Sequence, residues 1–336
     1  MRKSVMRQEL PLVSIVTPSL NQGCFVEETI LSVKNQTYPN IEHIIVDGGS
    51  TDGTLDVIKK YEGTYNLRWI SEPDNGMYEA INKGLRKTQG EILAYLNADD
   101  LYLPWTVSVV VEYLNQHQGI DLVYGDLINV HLETQRNTLR FYPKFNLSFL
   151  IRRGILGQPT VFFRKSVVER VGLFDESLKL VGDCEYWMRV GKQCKISKIE
   201  EFLAIARDHQ MTLRERRWQQ LLKELEHVRK KYGATRGSNK GFTRILDRLQ
   251  SAWVARYMMV KFLFYYWVKT KRSPASDCLS YPWQRLIEFP GFHVASWANF
   301  FMTITPLLNR KCKGNWFILD MEKEVNKSST EGRQYA

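Results

Sequence analysis

From about Leu12 to Leu203 the chain alternates short runs rich in β-branched residues with longer runs in which apolar residues recur every three or four positions. No other feature restricts the fold as much. Residues 12–17, 41–46, 67–70, 92–96 and 122–124 read as strands, and residues 26–35, 55–61, 78–87 and 105–117 as amphipathic helices. Strand and helix in strict turn imply a mainly parallel sheet with helices laid over it. Ligands of such open sheets gather outside the carboxyl ends of the strands. Three polar segments fall at such ends: Thr17-Pro18-Ser19, Asp47-Gly48-Gly49-Ser50 and Asn97-Ala98-Asp99-Asp100.

The last of these carries the most specific chemistry. Asp99 and Asp100 stand where the apolar run 91–96 gives way to a loop. Adjacent carboxylates suit a hard divalent cation such as Mg²⁺ or Mn²⁺, and a cation held by one or two carboxylates commonly shares its other positions with a substrate's phosphates. The same pair ahead of Pro104 also suits the start of a helix, where carboxylates and proline are favoured. On these residues alone both readings stand.

The 336 residues suffice for one large core and a smaller appendage, and charge separates the two. Of 47 Lys+Arg and 36 Asp+Glu, residues 201–336 hold 24 and 12, so the net charge of +11 arises entirely in the C-terminal part. Such a region calls for an anionic partner, a membrane surface or a nucleic acid. Residues 214–232 read as a charged helix and 233–244 as a linker rich in small residues. Residues 251–268 are crowded with aromatic and aliphatic side chains around Arg256 and Lys261, while 289–309 lack any charged residue but contain Pro290, Gly291, His293 and Pro306. That content argues against a membrane span. Residues 245–321 are therefore expected to be a basic, aromatic helical region that associates with the membrane, with a buried helical mini-domain as the alternative, and 322–336 a polar disordered tail. The five cysteines, Cys24, Cys184, Cys194, Cys278 and Cys312, show no pairing or metal-like spacing, and residues 1–10 lack the apolar core of a secretory signal. A cytoplasmic protein, held peripherally at the inner face of the cell membrane, is expected.

Five motifs share one order. Val13-Ser14-Ile15-Val16-Thr17-Pro18-Ser19-Leu20-Asn21 is followed by Ile45-Val46-Asp47-Gly48-Gly49-Ser50-Thr51-Asp52-Gly53-Thr54, then by Glu72-Pro73-Asp74-Asn75-Gly76-Met77-Tyr78-Glu79-Ala80-Ile81-Asn82-Lys83-Gly84, by Asp99-Asp100, and by Gly182-Asp183-Cys184-Glu185-Tyr186-Trp187. Together they resemble family 2 glycosyltransferases, most closely the branch that builds bacterial O-antigen and exopolysaccharide repeat units. The resemblance implies an α/β fold, a GT-A type, Rossmann-like nucleotide-sugar-binding domain over residues 10–232. Residues 10–100 would form the donor half and 101–232 the acceptor half, with a helical C-terminal region beyond.

Carried onto this sequence, the resemblance places Thr17, Pro18 and Asn21 in a loop over the nucleotide, Asp47, Gly48 and Asp74 at the nucleoside, and Lys83 at phosphate or in a structural role. Gly48 stands where many members have a second aspartate. Asp52 reads instead as a helix cap. Asp100 is implied as the direct ligand of Mn²⁺ or Mg²⁺, Asp99 as the partner of the ribose or of a metal-bound water, and His209 as a third ligand found in some relatives. Asp183 is implied as the general base of an inverting transfer and Glu185 as the fallback, although Gly182 replaces the glutamate that usually precedes the base. Gln158 is expected to shape the acceptor pocket. Processive synthases of the family carry Gln-x-x-Arg-Trp, and Arg214 takes the place of that glutamine before Arg217-Trp218, so one sugar per encounter is expected. The implied partners are a nucleotide-sugar donor and a lipid-linked saccharide acceptor at the inner-membrane surface. Two alternatives are a nucleic-acid-binding protein acting through the basic region and a fold that binds nucleotide sugar without turnover. No recognised nucleic-acid module supports the first, and intact Asp99, Asp100 and Asp183 oppose the second.

Overall fold

The computed structural model describes residues 10–133, 136–153, 156–210, 212 and 217–233. The expected 245–321 region, the tail and all of the linker after Gly233 lie outside the described residues. The chain divides into one unit containing residues 10–127, 142–206 and 210–233 and a second containing 128–141 and 207–209.

Strand β1 (Val13–Ser19) and strand β2 (Ile41–Asp47) are buried along their whole length. Continuous Val/Ile-rich runs are what a strand covered on both faces requires. β1 lies parallel between β2 and β4 (Ile92–Tyr95), and β2 is parallel to β3 (Leu67–Ser71). Helices α1 (Val26–Lys34), α2 (Thr54–Lys60) and α3 (Met77–Leu85) make the connections. The chain continues through β5 (Leu101–Tyr102), α4 (Thr106–Gln116), β6 (Leu122–His131), β7 (Arg136–Arg140), α5 (Leu147–Arg153) and a short 3₁₀ turn at Gln158–Thr160. Then come β8 (Phe162–Arg164), α6 (Lys165–Val171), α7 (Gly182–Gly191), β9 (Ile196–Asp208) and α8 (Trp218–Lys231). The strand order is β3-β2-β1-β4-β8-β6-β9-β5, with β7 on β6. β8 runs antiparallel to both neighbours, and β5 antiparallel to β9. The order reverses at β1, so the carboxyl ends of β1, β2 and β4 border the crevice where open sheets bind ligands.

Apolar spacing explains how the helices dock. α4 buries Val107, Val110, Val111 and Leu114 against Ile15, Ile92, Phe162 and Leu203. Val26 and Ile30 of α1 and Ile58 of α2 meet Ile45 and Leu67. Each such side chain contributes about 1.5–3 kcal/mol on burial. Because α4 begins at Thr106, after β5, Asp99 and Asp100 do not cap it, and the helix-start reading of the pair is set aside.

Two polar side chains are sunk in the parallel half of the sheet. Glu42 accepts from the Ser14 hydroxyl, from Arg68 and from the amides of Gln89 (2.6 Å) and Gly90 (3.2 Å), which fastens the entry to β4 onto β1, β2 and β3. His43 lies between Thr17 Oγ1 (2.9 Å from Nε2) and the Tyr65 hydroxyl (2.7 Å from Nδ1). In the second unit the Leu132 amide donates to the Asp208 carbonyl (3.0 Å) and Asn129 Nδ2 to Asp208 Oδ2 (3.0 Å). No helix among the described residues is long and apolar enough to cross a membrane.

Burial depresses the His43 pKa from 6.5 to about 3, so the folded ring stays neutral where the unfolded one takes a proton. A depressed histidine contributes stability that is complete above the unfolded pKa and is lost as pH falls. The unfolding free energy, read from denaturant titrations, should therefore drop as pH falls from about 6.5 toward 3, with a slope approaching about 1.4 kcal/mol per pH unit. His43→Gln should flatten the part of that fall above about pH 5.5, where ordinary carboxylates are almost fully ionised. An unchanged slope in the variant would refute the assignment.

Candidate active site

The loops after β1 and β2 lock together through the polar residues of both motifs. Asn21 holds a left-handed backbone (φ 52°), which asparagine tolerates better than most residues. Its amide donates to Ser50 Oγ (2.7 Å) and its Oδ1 accepts from the Thr51 amide (2.9 Å). The Gln22 amide reaches Thr54 Oγ1 at 2.9 Å. Asp52 accepts from the amides of Gly23 and Thr54, both at 3.0 Å, and so ties the first residue of α2 to the neighbouring loop. Thr17 and Pro18, expected in a loop over the nucleotide, lie instead within buried strand β1, in register with Ile45 and Val46 of β2, and the Thr17 hydroxyl is engaged by His43, so of the three expected loop residues Asn21 alone lies in the loop.

Asp47 is saturated from within. Its Oδ2 accepts from the amides of Gly49 (3.0 Å) and Ser50 (2.8 Å) and from Ser71 Oγ (2.8 Å), and its Oδ1 from the Ser50 hydroxyl. An ionised carboxylate has about four lone-pair positions, so this one is committed to shaping the turn. The next residue is different. A Cβ on Gly48 would stand 2.5 Å from Asp74 Oδ2, so the Asp74 carboxylate occupies the space beside Gly48. Asp74 Oδ1 accepts from the Gly76 amide (2.8 Å). Lys83 does not reach forward. Its Nζ lies 3.1 Å from Glu72, 3.0 Å from Glu79 and 3.1 Å from the Pro73 carbonyl, which staples the 72–79 segment.

Beyond β4 the chain turns sharply, and one hydroxyl fixes the turn. Thr29 Oγ1, on α1, lies 2.7 Å and 2.9 Å from the carbonyls of Ala98 and Asp100. Asn97 Nδ2 donates to Asp100 Oδ2 (3.3 Å) and to Gln158 Oε1 (3.2 Å), while Gln158 Nε2 donates to the Tyr95 carbonyl (2.8 Å). The next residues pair with β9, where the Leu103 amide reaches the Leu203 carbonyl (3.2 Å). Asp100 is thus buried and Asp99 half-buried at the carboxyl end of β4.

Asp183 enters from α7, in its first turn. The hydroxyl of Tyr78, on α3, donates to Asp183 Oδ1 at 3.2 Å. Phe174 is the hub that sets this geometry, stacking on Tyr78 (centroids 5.9 Å apart) and Tyr186 (4.0 Å) and meeting Tyr95 edge-on (5.5 Å). Asn82 holds Phe174 by both backbone groups, at 2.9 and 3.0 Å. Tyr95, fully buried, feels Asp183 and Asp100 at once; burial first, then these charges and those of Tyr78 and Cys184, push its pKa well above the ordinary tyrosine value. Glu185 points elsewhere. It accepts from Arg189 (3.0 Å), Lys231 (3.3 Å) and the Tyr232 hydroxyl (2.7 Å), binding α8 to α7. Burial pushes its pKa up, but the Tyr232 and Arg189 contacts outweigh that and leave it below the usual glutamate value.

Comparison with known proteins gives the family and the fold. The model of "Glycosyl transferase family 2" matches residues 14–172. The "PGL/p-HBAD biosynthesis glycosyltransferase" of Mycobacterium bovis (strain BCG / Pasteur 1173P2) is 30% identical over 182 residues, covering 53% of this chain and 69% of that protein. The chain belongs to glycosyl transferase family 2. Among solved structures, S. aureus TarS 1-349 in complex with UDP-GlcNAc superposes with a TM-score of 0.52 at 21% identity, over 59% of each chain. The mannosyltransferase PcManGT from Pyrobaculum calidifontis, in complex with GDP-Man and Mn²⁺, gives 0.51 at 18% identity, over 69% of this chain and 66% of that one. These two show the fold, which is the expected GT-A type. This glycosyltransferase thus spans 59% of the length of that TarS structure.

The donor set at β4 fits a hard cation shared with a substrate. Asp99 and Asp100 supply carboxylate oxygens, and Asn97 Oδ1 beside them is buried without a hydrogen-bond partner among the described residues. No cluster of three His, Cys, Asp or Glu able to hold a metal occurs among the described residues. His209 is buried and belongs to the second unit.

Thr29, Asn82, Phe174 and Tyr78 were not singled out by the sequence reading, because a threonine or asparagine within an amphipathic helix carries no local signal of its tertiary partner. Thr29→Val keeps the shape and removes the hydroxyl that donates into the 98–100 turn. It should cost about 1–3 kcal/mol, read as a lower denaturant midpoint. An unchanged midpoint would show that the turn does not depend on this hydroxyl.

Proposed function

We propose that this glycosyltransferase moves a single sugar from a nucleoside-diphosphate sugar to a saccharide hydroxyl with inversion at the anomeric carbon. One observation carries the reading: Tyr95 at the end of β4 is joined to the Asp99-Asp100 turn through Gln158 and Asn97, and to Asp183 through Phe174 and Tyr78, so an acidic pole suited to a metal-bound diphosphate and a second carboxylate border one site. Asp100 and Asp99 would hold Mn²⁺ or Mg²⁺, which when bound supplies Lewis-acid neutralisation of the leaving diphosphate. Asp183 takes the proton of the acceptor hydroxyl as that oxygen bonds to the anomeric carbon and the bond to diphosphate breaks. Base and leaving group on opposite faces of the sugar give inversion. With Glu185 committed to Arg189, Lys231 and Tyr232, Asp183 is the better base.

At the other end of the donor, Asp74 reads the nucleobase in the space left by Gly48. A carboxylate there accepts from the imide N–H of uracil, thymine or guanine, and the Asn21–Ser50–Thr51 lock holds the backbone around the nucleotide. Gln158 sets the acceptor side through Asn97. The excess of 24 Lys+Arg over 12 Asp+Glu in residues 201–336 suits attachment to an anionic membrane face, where a lipid-linked acceptor for surface polysaccharide (O-antigen, capsule or exopolysaccharide) resides.

A panel of nucleotide sugars screened by thermal shift tests the proposal. At least one uridine, thymidine or guanosine diphosphate sugar should raise the melting temperature, only with Mn²⁺ or Mg²⁺, and Asp100→Ala should abolish the shift. Asp183→Asn should keep the shift and lose transfer by about 10²–10⁴-fold. Metal-independent stabilisation, or undiminished transfer by Asp183→Asn, would refute the respective roles.

A further inference from the structure

Gly182 departs from the family pattern, and the reason lies across the site. A Cβ at Gly182 would meet the Tyr78 ring at 2.7 Å, so the aromatic ring fills the space that a side chain before Asp183 would need. Tyr78 brings its hydroxyl with it. The phenol oxygen lies 3.2 Å from Asp183 Oδ1, so it engages the side chain of the base directly. Tyr78 is 1% exposed, stacked on Phe174, and carried by a helix that Asn82 clamps to Phe174. α3 cannot drift outward without breaking that clamp, nor inward, because Gly84 already packs on the Val16 side chain.

We infer that Tyr78 is the positioning residue for the general base, a buried phenol from α3 that orients the Asp183 carboxylate and favours its ionised form where the family usually has an acidic neighbour. The inference rests on Asp183 being the base. Its physics is simple. Burial and then the Asp183 charge hold the phenol pKa well above the ordinary value, so at working pH Tyr78 donates and does not ionise. A hydrogen bond donated to a carboxylate stabilises the charged form, which keeps a base ready below neutral pH. A glutamate at 182 would instead add a like charge beside the base and oppose its ionisation. Among the described residues, Tyr78 from α3, Tyr95 from β4, Asp100 from the turn after β4 and Cys184 from the helix of Asp183 itself are titratable groups in electrical contact with this region.

Tyr78→Phe keeps the ring and its stacking and removes only the donor. With metal and donor present it should keep the donor-induced thermal shift and an acceptor KM within about twofold, while kcat falls by about 10–100-fold, the cost of one hydrogen bond to a charged group. The acidic limb of its kcat–pH profile should move to higher pH, which a loss of packing alone would not produce. Wild-type kcat and an unmoved limb, alongside an inactive Asp183→Asn, would overturn the inference and leave the base in place. An active Asp183→Asn would instead remove the base reading itself. If Tyr78→Phe does not fold, Gly182→Ala pushes the ring from Asp183 and decides the matter by the same two readouts: a lowered kcat with a displaced limb supports the inference, and unchanged values overturn it.

Discussion

The site depends on how the chain leaves β4. A strand that ends in two acidic residues would splay into solvent unless its carbonyls were satisfied, and the Thr29 hydroxyl lies within reach of two of them, those of Ala98 and Asp100. Two further contacts complete the turn. Gln158 holds the Tyr95 carbonyl on one side, and on the other the chain is drawn into β5 against β9. Buried polar groups must find partners, so this bonding leaves the loop one low-energy path. Along that path Asp100 is buried with Asn97 beside it, in the turn that follows β4.

The segment 72–84 then joins the donor and acceptor halves. Within it Asp74 lies against Gly48, Tyr78 against Gly182, Asn82 clamps Phe174 and Gly84 seats on β1. Two glycines that look like losses of acidic side chains thus face side chains delivered by one helix and the turn before it. Lys83 holds that turn through Glu72, Glu79 and the Pro73 carbonyl. A helix fixed at so many points ties Asp74, beside Gly48, to Tyr78, beside Gly182 and Asp183, through one short segment.

Much of the donor half was legible in the sequence because its strands are continuous apolar runs and its helices carry a clear period. β5, with two residues, and β8, with three, are too short to show periodicity, and their places are set by pairing with β9 and β4. The motif 45–54 reads as ligand-binding apart from Asp52, yet Asp47 accepts from the amides of Gly49 and Ser50, and Asn21, Ser50 and Thr51 bond one another, while Asp52, read as a helix cap, accepts from the Thr54 amide that opens α2. Turn chemistry and ligand chemistry use the same residue types, and only coordinates separate them. Glu185 illustrates the converse: two residues from Asp183 in sequence, it faces α8 and an arginine. Tyr78 was invisible as a partner of Asp183, since nothing in a single chain tells that residues 105 apart will touch.

The central claim is that Asp99 and Asp100 grip a cation which a donor's diphosphate shares. Crystals grown with Mn²⁺ and a nucleoside diphosphate, measured at the manganese absorption edge, test it directly. The account predicts a single anomalous peak within coordination distance of Asp100 and of a diphosphate oxygen. A peak elsewhere, or diphosphate ordered in the crevice with no manganese beside Asp100, would contradict it.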